Sequence, residues 1–277
     1  MVEYNPRAWP EVLLRMHGSV LPRVVPRVLG VAAVGLGASY LHQRFGFKLA
    51  PVAHTMVGAA LGLLLVFRTN ASYDRYWEGR KLLGSLVNRM RDLMRHFAVY
   101  GSEGQEAQRR LVVAFALIRQ YLRFQTDLGQ LGAPITAAER TALEPVRCRP
   151  VVYLTWLGRL MSGMPPEIRR NADENLTSLI DSIGGAERIV KTPVPFAYAQ
   201  HIKGFLFLFC FTVPFVMVDS MGWYDCLGSA AVAYALFGIE EIGVEIEDPF
   251  GTDPNDLPLE VIEQGLATAT REILGSE

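Results

Sequence analysis

Carboxylates form the clearest chemical cluster in this sequence. Five of them crowd the end of the last apolar segment: Glu240, Glu241, Glu245, Glu247 and Asp248. Two more, Asp219 and Asp225, flank the connection that precedes this segment. Rings of carboxylates around a water-filled opening favour cations, so the pattern predicts contact with small positive ions if several copies of the chain surround an opening. For any single carboxylate, the competing interpretation is that it only keeps the end of a helix in contact with water.

The other reactive residue types do not form a catalytic pattern. The histidines are His17, His42, His54, His96 and His201. They show no HExxH spacing, and the sequence has neither a glycine-rich phosphate loop nor a nucleophile elbow. The three cysteines contain no CxxC pair, which favours packing over a zinc site or a disulfide framework. We therefore expect a protein that is not an enzyme. A net charge of −1 also gives no basic excess for binding nucleic acid.

Four apolar stretches must position the carboxylates. They are Val24–Leu41, Ala50–Phe67, Phe205–Val218 and Cys226–Ile239. Only the second reaches the length of a membrane-spanning helix by itself, about 18 to 20 residues. The third can begin as early as Phe196, and the fourth includes a run of small residues that suits close helix packing. The sequence therefore predicts four membrane-spanning helices.

Basic residues are distributed asymmetrically around these stretches. Arginines precede the first stretch, and four basic residues follow the second: Arg68, Arg75, Arg80 and Lys81. The connection between the first two stretches has only Arg44 and Lys48. Because short cytoplasmic segments collect Lys and Arg, both termini are expected on the cytoplasmic side of the membrane.

A long polar stretch separates the second and third spans. Residues 68–191 carry apolar residues at helical spacing, interrupted by glycine and proline at Gly101, Gly104, 129–134 and 165–166. No run alternates with a period of two for long enough to require a sheet. We interpret this stretch as a helical cytoplasmic domain, and 257–274 as one more amphipathic helix.

Three segments resemble the bestrophin family in its bacterial branch. They are FRTNASYDRYWEGR (Phe67–Arg80), TPVPFAYAQH (Thr192–His201) and IEDPFGTDPNDLPL (Ile246–Leu259). Each stands at the family's place relative to the spans, and the resemblance covers most of the chain. It implies an all-α membrane protein with four transmembrane helices and a helical cytoplasmic domain, assembled as a pentameric channel. The implied regions are an N-terminal segment (1–23), the first two spans (24–67), the cytoplasmic domain (68–191), the last two spans (192–245) and the PFG motif with the terminal helix (246–277).

The resemblance also implies a narrow apolar neck lined by the second span. Its three neck positions fall on Val52, Met56 and Ala60, which drift about 40° per step and can face one axis. Ala60 is smaller than the side chain usual in the family at that position. Ordinary packing of small residues, including Gly58 and Gly62, is the competing interpretation. A second constriction in the cytoplasmic domain is implied, with Ile168 as the candidate.

Charges inside the predicted spans favour assembly. Arg27, Lys203, Glu240 and Glu241 lie within or beside apolar stretches, where a lone bundle of four helices would shield them poorly. We expect neighbouring copies of the chain to cover them.

Calcium is implied by the PFG motif, because animal relatives carry calcium-binding carboxylates after it. The matching positions here are Asp253 and Asp256, and calcium prefers six to eight oxygen ligands. Turn formation at Asp253-Pro254 and helix capping by Asp256 are the alternatives. No cofactor is required otherwise.

The apolar spans together with the family resemblance imply a homopentameric, multi-pass ion channel of the bacterial inner membrane, in contact with lipid. We expect monovalent cations, sodium-like, to be favoured, because the carboxylates lie near both mouths and bacterial members of the family resemble cation channels. A chloride or anion channel of the same fold and a non-conducting membrane scaffold are the alternatives.

Overall fold

The structure, a computed structural model, describes residues 4–5 and 7–275. Ten α-helices and no β-strand occur in these residues. The helices are α1 (Trp9–Leu14), α2 (Leu21–Phe45), α3 (Pro51–Tyr100), α4 (Gly104–Leu122), α5 (Ala137–Leu143), α6 (Arg149–Arg159), α7 (Pro166–Lys191), α8 (Phe196–Met221), α9 (Asp225–Glu245) and α10 (Leu259–Leu274). The predicted all-α class is therefore confirmed for the described chain.

The chain divides into two compact units. The first runs to Tyr76 and also includes Pro193–Asp248 and Asp253–Asn255. The second contains Trp77–Thr192, Pro249–Thr252 and the residues from Asp256 onward. The first division falls inside α3, an uninterrupted helix that continues beyond Phe67, the predicted end of the second span. The segment predicted as a single region, 246–277, is shared between the units.

Helices α2, α8, α9 and the first part of α3 form the first unit. Its core consists of Val24, Val31, Leu61, Leu65, Ile202, Leu206, Cys210, Ala233 and Phe237. A Cβ atom added at Gly35 of α2 would lie 2.8 Å from the Cys226 Cα atom of α9, so only glycine permits this close approach. The Ser39 hydroxyl donates to the Gly222 carbonyl (2.9 Å) and holds α2 against the turn between α8 and α9.

Three helical segments in the described chain are long and apolar enough to cross a membrane: Leu21–Phe45, Pro51–Tyr100 and Phe196–Glu245. The last contains both α8 and α9, divided by the 3-10 turn Gly222–Tyr224. The Lys203 ammonium of α8 donates to Glu240 of α9, so the start of α8 lies beside the end of α9. The two helices therefore form a hairpin.

Helices α4, α6, α7, α10 and the second part of α3 build the other unit around buried apolar side chains. The largest of these are Tyr153, Phe97, Phe115 and Phe250. The helix breaks follow the glycines and prolines: α3 ends before Gly101, α4 begins at Gly104, and α7 begins with Pro166 in its first turn. The terminal helix begins at Leu259, two residues later than predicted.

Candidate functional site: an apolar helix face and a charged cluster

The first part of α3 exposes an apolar face in the single chain. Val52 and Met56 are 71% and 72% exposed, and Ala60 is exposed as well. The opposite face carries Leu61 and Leu65, which are buried in the core of the first unit. The three predicted neck residues therefore share a helix face that the chain itself does not cover.

The small residues of α3 divide between two environments. A Cβ atom at Gly58 would lie 3.0 Å from the Phe209 ring of α8, so Gly58 allows contact between helices of the same chain. The His54 ring also stacks on Phe209, with ring centroids 4.4 Å apart. A Cβ atom at Gly62 would meet no atom within 4 Å. Packing within the chain thus explains Gly58 but not the exposed face at Met56 and Ala60.

The carboxylates at the end of α9 are paired with basic side chains. Glu240 accepts from Lys203 of α8 (2.6 Å), and Glu241 accepts from Arg27 of α2 (2.8 Å). Glu245 accepts from Arg23, which lies one helical turn before Arg27 on α2. The side chains of all three glutamates are almost fully buried.

The four charges expected to need neighbouring subunits, Arg27, Lys203, Glu240 and Glu241, therefore have partners within one chain. The Arg27 and Lys203 side chains stay 42% and 52% exposed, and their cover by neighbouring copies stays a prediction. The spacing of the two arginines on α2 matches that of the two glutamates on α9, so opposite charges meet inside one chain. The sequence shows which residues are charged, but only the packing of α2 and α8 against α9 shows which of them are partners.

Glu247 joins the three segments that carry the family resemblance. Its carboxylate accepts from the buried Arg68 guanidinium and from the Val194 N–H group (2.9 Å). Its backbone carbonyl accepts from Arg75 Nε (3.2 Å). Burial alone raises the pKa of the Glu247 carboxyl, but the hydrogen bonds from Val194 and Arg68 outweigh it and hold this pKa below its ordinary value. Arg68 also donates to the Ser72 hydroxyl (2.8 Å).

Sequence reasoning assigned Glu247 to a mouth and did not single out Arg68 as its partner. The signal that could have found Arg68 is its position as the first charged residue after the apolar run of α3. A basic side chain directly after a membrane-spanning apolar run needs a carboxylate partner.

The structure separates the two carboxylates predicted for the outer mouth. Asp219 is exposed and accepts from the Lys48 ammonium (2.8 Å). Asp225 is fully buried, and its Oδ1 atom accepts from the Ser229 hydroxyl (2.9 Å). Its Oδ2 atom has no hydrogen-bond partner among the described residues. This burial argues against Asp225 as a carboxylate that ions meet at a mouth.

The two predicted calcium ligands belong to different units. Asp253 is exposed, and its Oδ2 atom lies 3.8 Å from Arg23 Nη2. Asp256 is buried and stands three residues before α10, which begins at Leu259. Within the described ranges, no group of three or more His, Cys, Asp or Glu side chains could hold a metal ion. The arginine beside Asp253 competes with any cation there, and calcium binding stays a prediction.

Ile168, the candidate for a second constriction, lies in the first turn of α7 and is half-buried. Its role in a second constriction stays a prediction.

Long apolar helices, an uncovered apolar helix face and glutamates paired with basic side chains are typical of a membrane protein. A sequence model of the bacterial and fungal bestrophin proteins matches residues 1–272. The chain belongs to this family, which consists of ion channels and not of enzymes.

Relatives and solved structures agree with this assignment. A voltage-dependent anion channel-forming protein of Synechocystis is 37% identical over 286 residues, covering 98% of this chain and 93% of the relative. A protein of the same description from Nostoc is 38% identical, covering 92% of this chain and 88% of the relative. The crystal structure of a bestrophin homologue from Klebsiella pneumoniae has a TM-score of 0.82 at 26% identity, covering 93% of this chain and 99% of that one.

Proposed function

We propose that the chain forms a homopentameric channel that conducts small anions such as chloride across the bacterial cell membrane. The observation that carries the proposal is the uncovered apolar face of α3, formed by Val52, Met56 and Ala60. A channel neck of apolar side chains blocks hydrated ions by dewetting and needs no fixed charge in its wall.

The choice of anions has two supports. The relatives from Synechocystis and Nostoc are described as anion channel-forming proteins. In addition, Glu240, Glu241 and Glu245 are already paired with Lys203, Arg27 and Arg23, so they leave no net negative charge at the end of α9. The cation preference expected from the sequence depended in part on these carboxylates being free, and neither observation supports it.

The membrane arrangement follows the helices and the basic residues. In this proposal, α2, the first part of α3, α8 and α9 span the membrane, and both termini lie in the cytoplasm. The second unit forms the cytoplasmic domain. Neighbouring copies and lipid cover the apolar side chains that the single chain exposes. The proposal requires no cofactor.

A flux measurement tests the proposed function. Purified protein is reconstituted in vesicles that contain a chloride-sensitive dye, with a potassium carrier to balance charge. We expect chloride to enter faster than in protein-free vesicles. Sodium entry without chloride entry would instead identify a cation channel, and no flux of either ion would identify a non-conducting scaffold.

Calcium requires a separate titration. If Asp253 and Asp256 bind the ion, calcium raises the unfolding temperature of the unmutated protein, because a ligand stabilises the state that binds it. The same titration of a variant in which both are changed to Asn is the control. An unmutated protein that does not respond would exclude the site.

A further inference from the structure

A cleft of about 390 Å³ lies in the second unit at the end of α4. Its walls come from the end of α4, the chain after it, the residues before and at the start of α6, and the last residue of α7. The volume lies within the range of about 300 to 1,000 Å³ that holds small ligands. None of its lining residues belongs to the site described above.

Phe124 lines this cleft in a conformation that is costly for its residue type. Its φ angle is +55°, and among the described residues it is the only non-glycine residue with a positive φ angle. The Gln125 N–H group donates to the Gln120 carbonyl (2.9 Å), which closes α4 with the type of cap that normally uses glycine. The Phe124 side chain is 65% exposed, so packing within the chain does not compensate for this strain. Strain of this kind concentrates at ligand-binding sites.

Gln120 presents an unsatisfied acceptor in the same place. Gln120 is only 2% exposed, and its side-chain Nε2 atom donates to the Asp127 carbonyl (2.8 Å). This bond fixes the orientation of the amide, and the Oε1 atom is left buried without a hydrogen-bond partner in the described chain. Because this atom is buried, a small movement of the cleft wall must expose it before an N–H group of a bound molecule can satisfy it.

Basic side chains outnumber acidic ones around the cleft. Arg147, Arg149 and Lys191 line it, against the carboxylate of Glu144. The Arg149 guanidinium donates to three backbone carbonyls. Neither Arg147 nor Arg149 has a carboxylate partner among the described residues, whereas Lys191 is paired with Glu187. The excess of positive charge favours an anionic group such as phosphate.

We propose that this cleft binds a nucleoside monophosphate. The flat base lies against the Phe124 ring, an N–H group of the base donates to Gln120 Oε1, and the arginines attract the phosphate. This inference goes beyond ion conduction and does not depend on which ion the channel carries.

The test is equilibrium dialysis of the full-length protein in detergent with radiolabelled AMP and, separately, GMP. We expect saturable binding of at least one nucleotide. Arg147→Ala should weaken it about tenfold or more, because a charge-assisted contact to phosphate is lost. Arg140→Ala, on the exposed surface of α5 outside the cleft, is the matched control and should bind as the unmutated protein does.

Phe124→Gly distinguishes a ligand-binding ring from a structural one. Glycine accepts a positive φ angle without strain, so the ligand-free variant should unfold at an equal or higher temperature while binding the nucleotide several-fold more weakly. The proposal is overturned if neither nucleotide binds saturably up to about 1 mM. It is also overturned if both cleft variants bind normally, or if adenosine or inorganic phosphate alone binds as tightly as AMP.

Discussion

Met56 lies at the centre of the apolar face that we propose for the channel neck. Its side chain is 72% exposed, one turn from Val52 and one turn from Ala60 on α3. In a ring of five copies it would be a large apolar side chain among smaller ones, and would control how easily water fills the neck. The mechanism therefore depends more on this residue than on any charged one.

Shortening Met56 tests this role directly. Met56→Ala should widen the ring, keep the neck hydrated and raise the open probability in single-channel recordings, with little change in ion preference because no charge is altered. Met56→Glu should instead lower the preference for anions by placing carboxylates in the neck. Leu29→Ala, which shortens an exposed apolar side chain on α2, is the control. Unchanged gating and selectivity in both Met56 variants would exclude Met56 from the pore.

Glu247 is expected to contribute to stability rather than to selectivity. Glu247→Gln leaves the Arg68 guanidinium, which is 3% exposed, without its counter-charge, and should cost about 3 kcal/mol of unfolding free energy. Glu272→Gln, on an exposed position of α10, should have no measurable effect. Thermal unfolding in detergent compares the two. Equal unfolding temperatures would contradict the role of Glu247.

The stabilisation that Glu247 provides should depend on pH, because its carboxylate must be ionised to pair with Arg68. Because the folded-state pKa lies below its ordinary value of 4.5, the stabilisation is complete above about pH 4.5. It is lost as the pH falls through the folded-state pKa. The difference in stability between the unmutated protein and Glu247→Gln should therefore shrink on acidification below pH 4.5.

The sequence revealed which residues carry charge, but not which of them meet. Position and composition identified the carboxylates of α9 and the cations of α2 and α8. Whether Glu241 faces water or Arg27 depends on the rotation of two helices about their axes, which no local pattern specifies. The expectation of cation selectivity rested in part on carboxylates whose partners the sequence did not reveal. The neck positions came from the family resemblance and stay a prediction. The helical repeat establishes only that Val52, Met56 and Ala60 can share one face of a helix.

Close helix packing in the first unit depends on Gly35. A methyl group there would meet the Cys226 backbone at 2.8 Å, whereas a Cβ atom at Gly37, on the same helix, would meet nothing within 4 Å. We expect Gly35→Ala to destabilise the protein by about 1 to 3 kcal/mol through overpacking. Gly37→Ala should be neutral or slightly stabilising. Thermal unfolding of both variants checks the pair, and equal effects would contradict the packing of α2 against α9.

The helices were predictable from the spacing of apolar residues and from glycine and proline between them, but the length of each helix was not. Glycine and proline marked the ends of α3 and the starts of α4 and α7. The continuation of α3 through Phe67 into the second unit left no break in the sequence to detect, because polar residues replace apolar ones without a helix breaker. Similarly, the burial of Asp225 depends on the turn between α8 and α9 and on Ser229, which spacing alone does not indicate.

These helices can line a pore only if several copies of the chain assemble. The single chain leaves Val52, Met56, Leu63 and Phe67 of α3 more than half exposed, and burial of these side chains between copies would stabilise a ring. Mass measurement of the purified protein in detergent should give one discrete species with five copies. A stable monomer would contradict the pore.

The reversal potential under a tenfold gradient of KCl tests the central claim, an anion-conducting pore, most directly. Purified protein in a planar bilayer should show single-channel currents that reverse near the chloride equilibrium potential. The dilute side would then be negative by up to about 59 mV relative to the concentrated side. A reversal potential of similar size and opposite sign, with the dilute side positive, would show that potassium carries the current and would contradict the account.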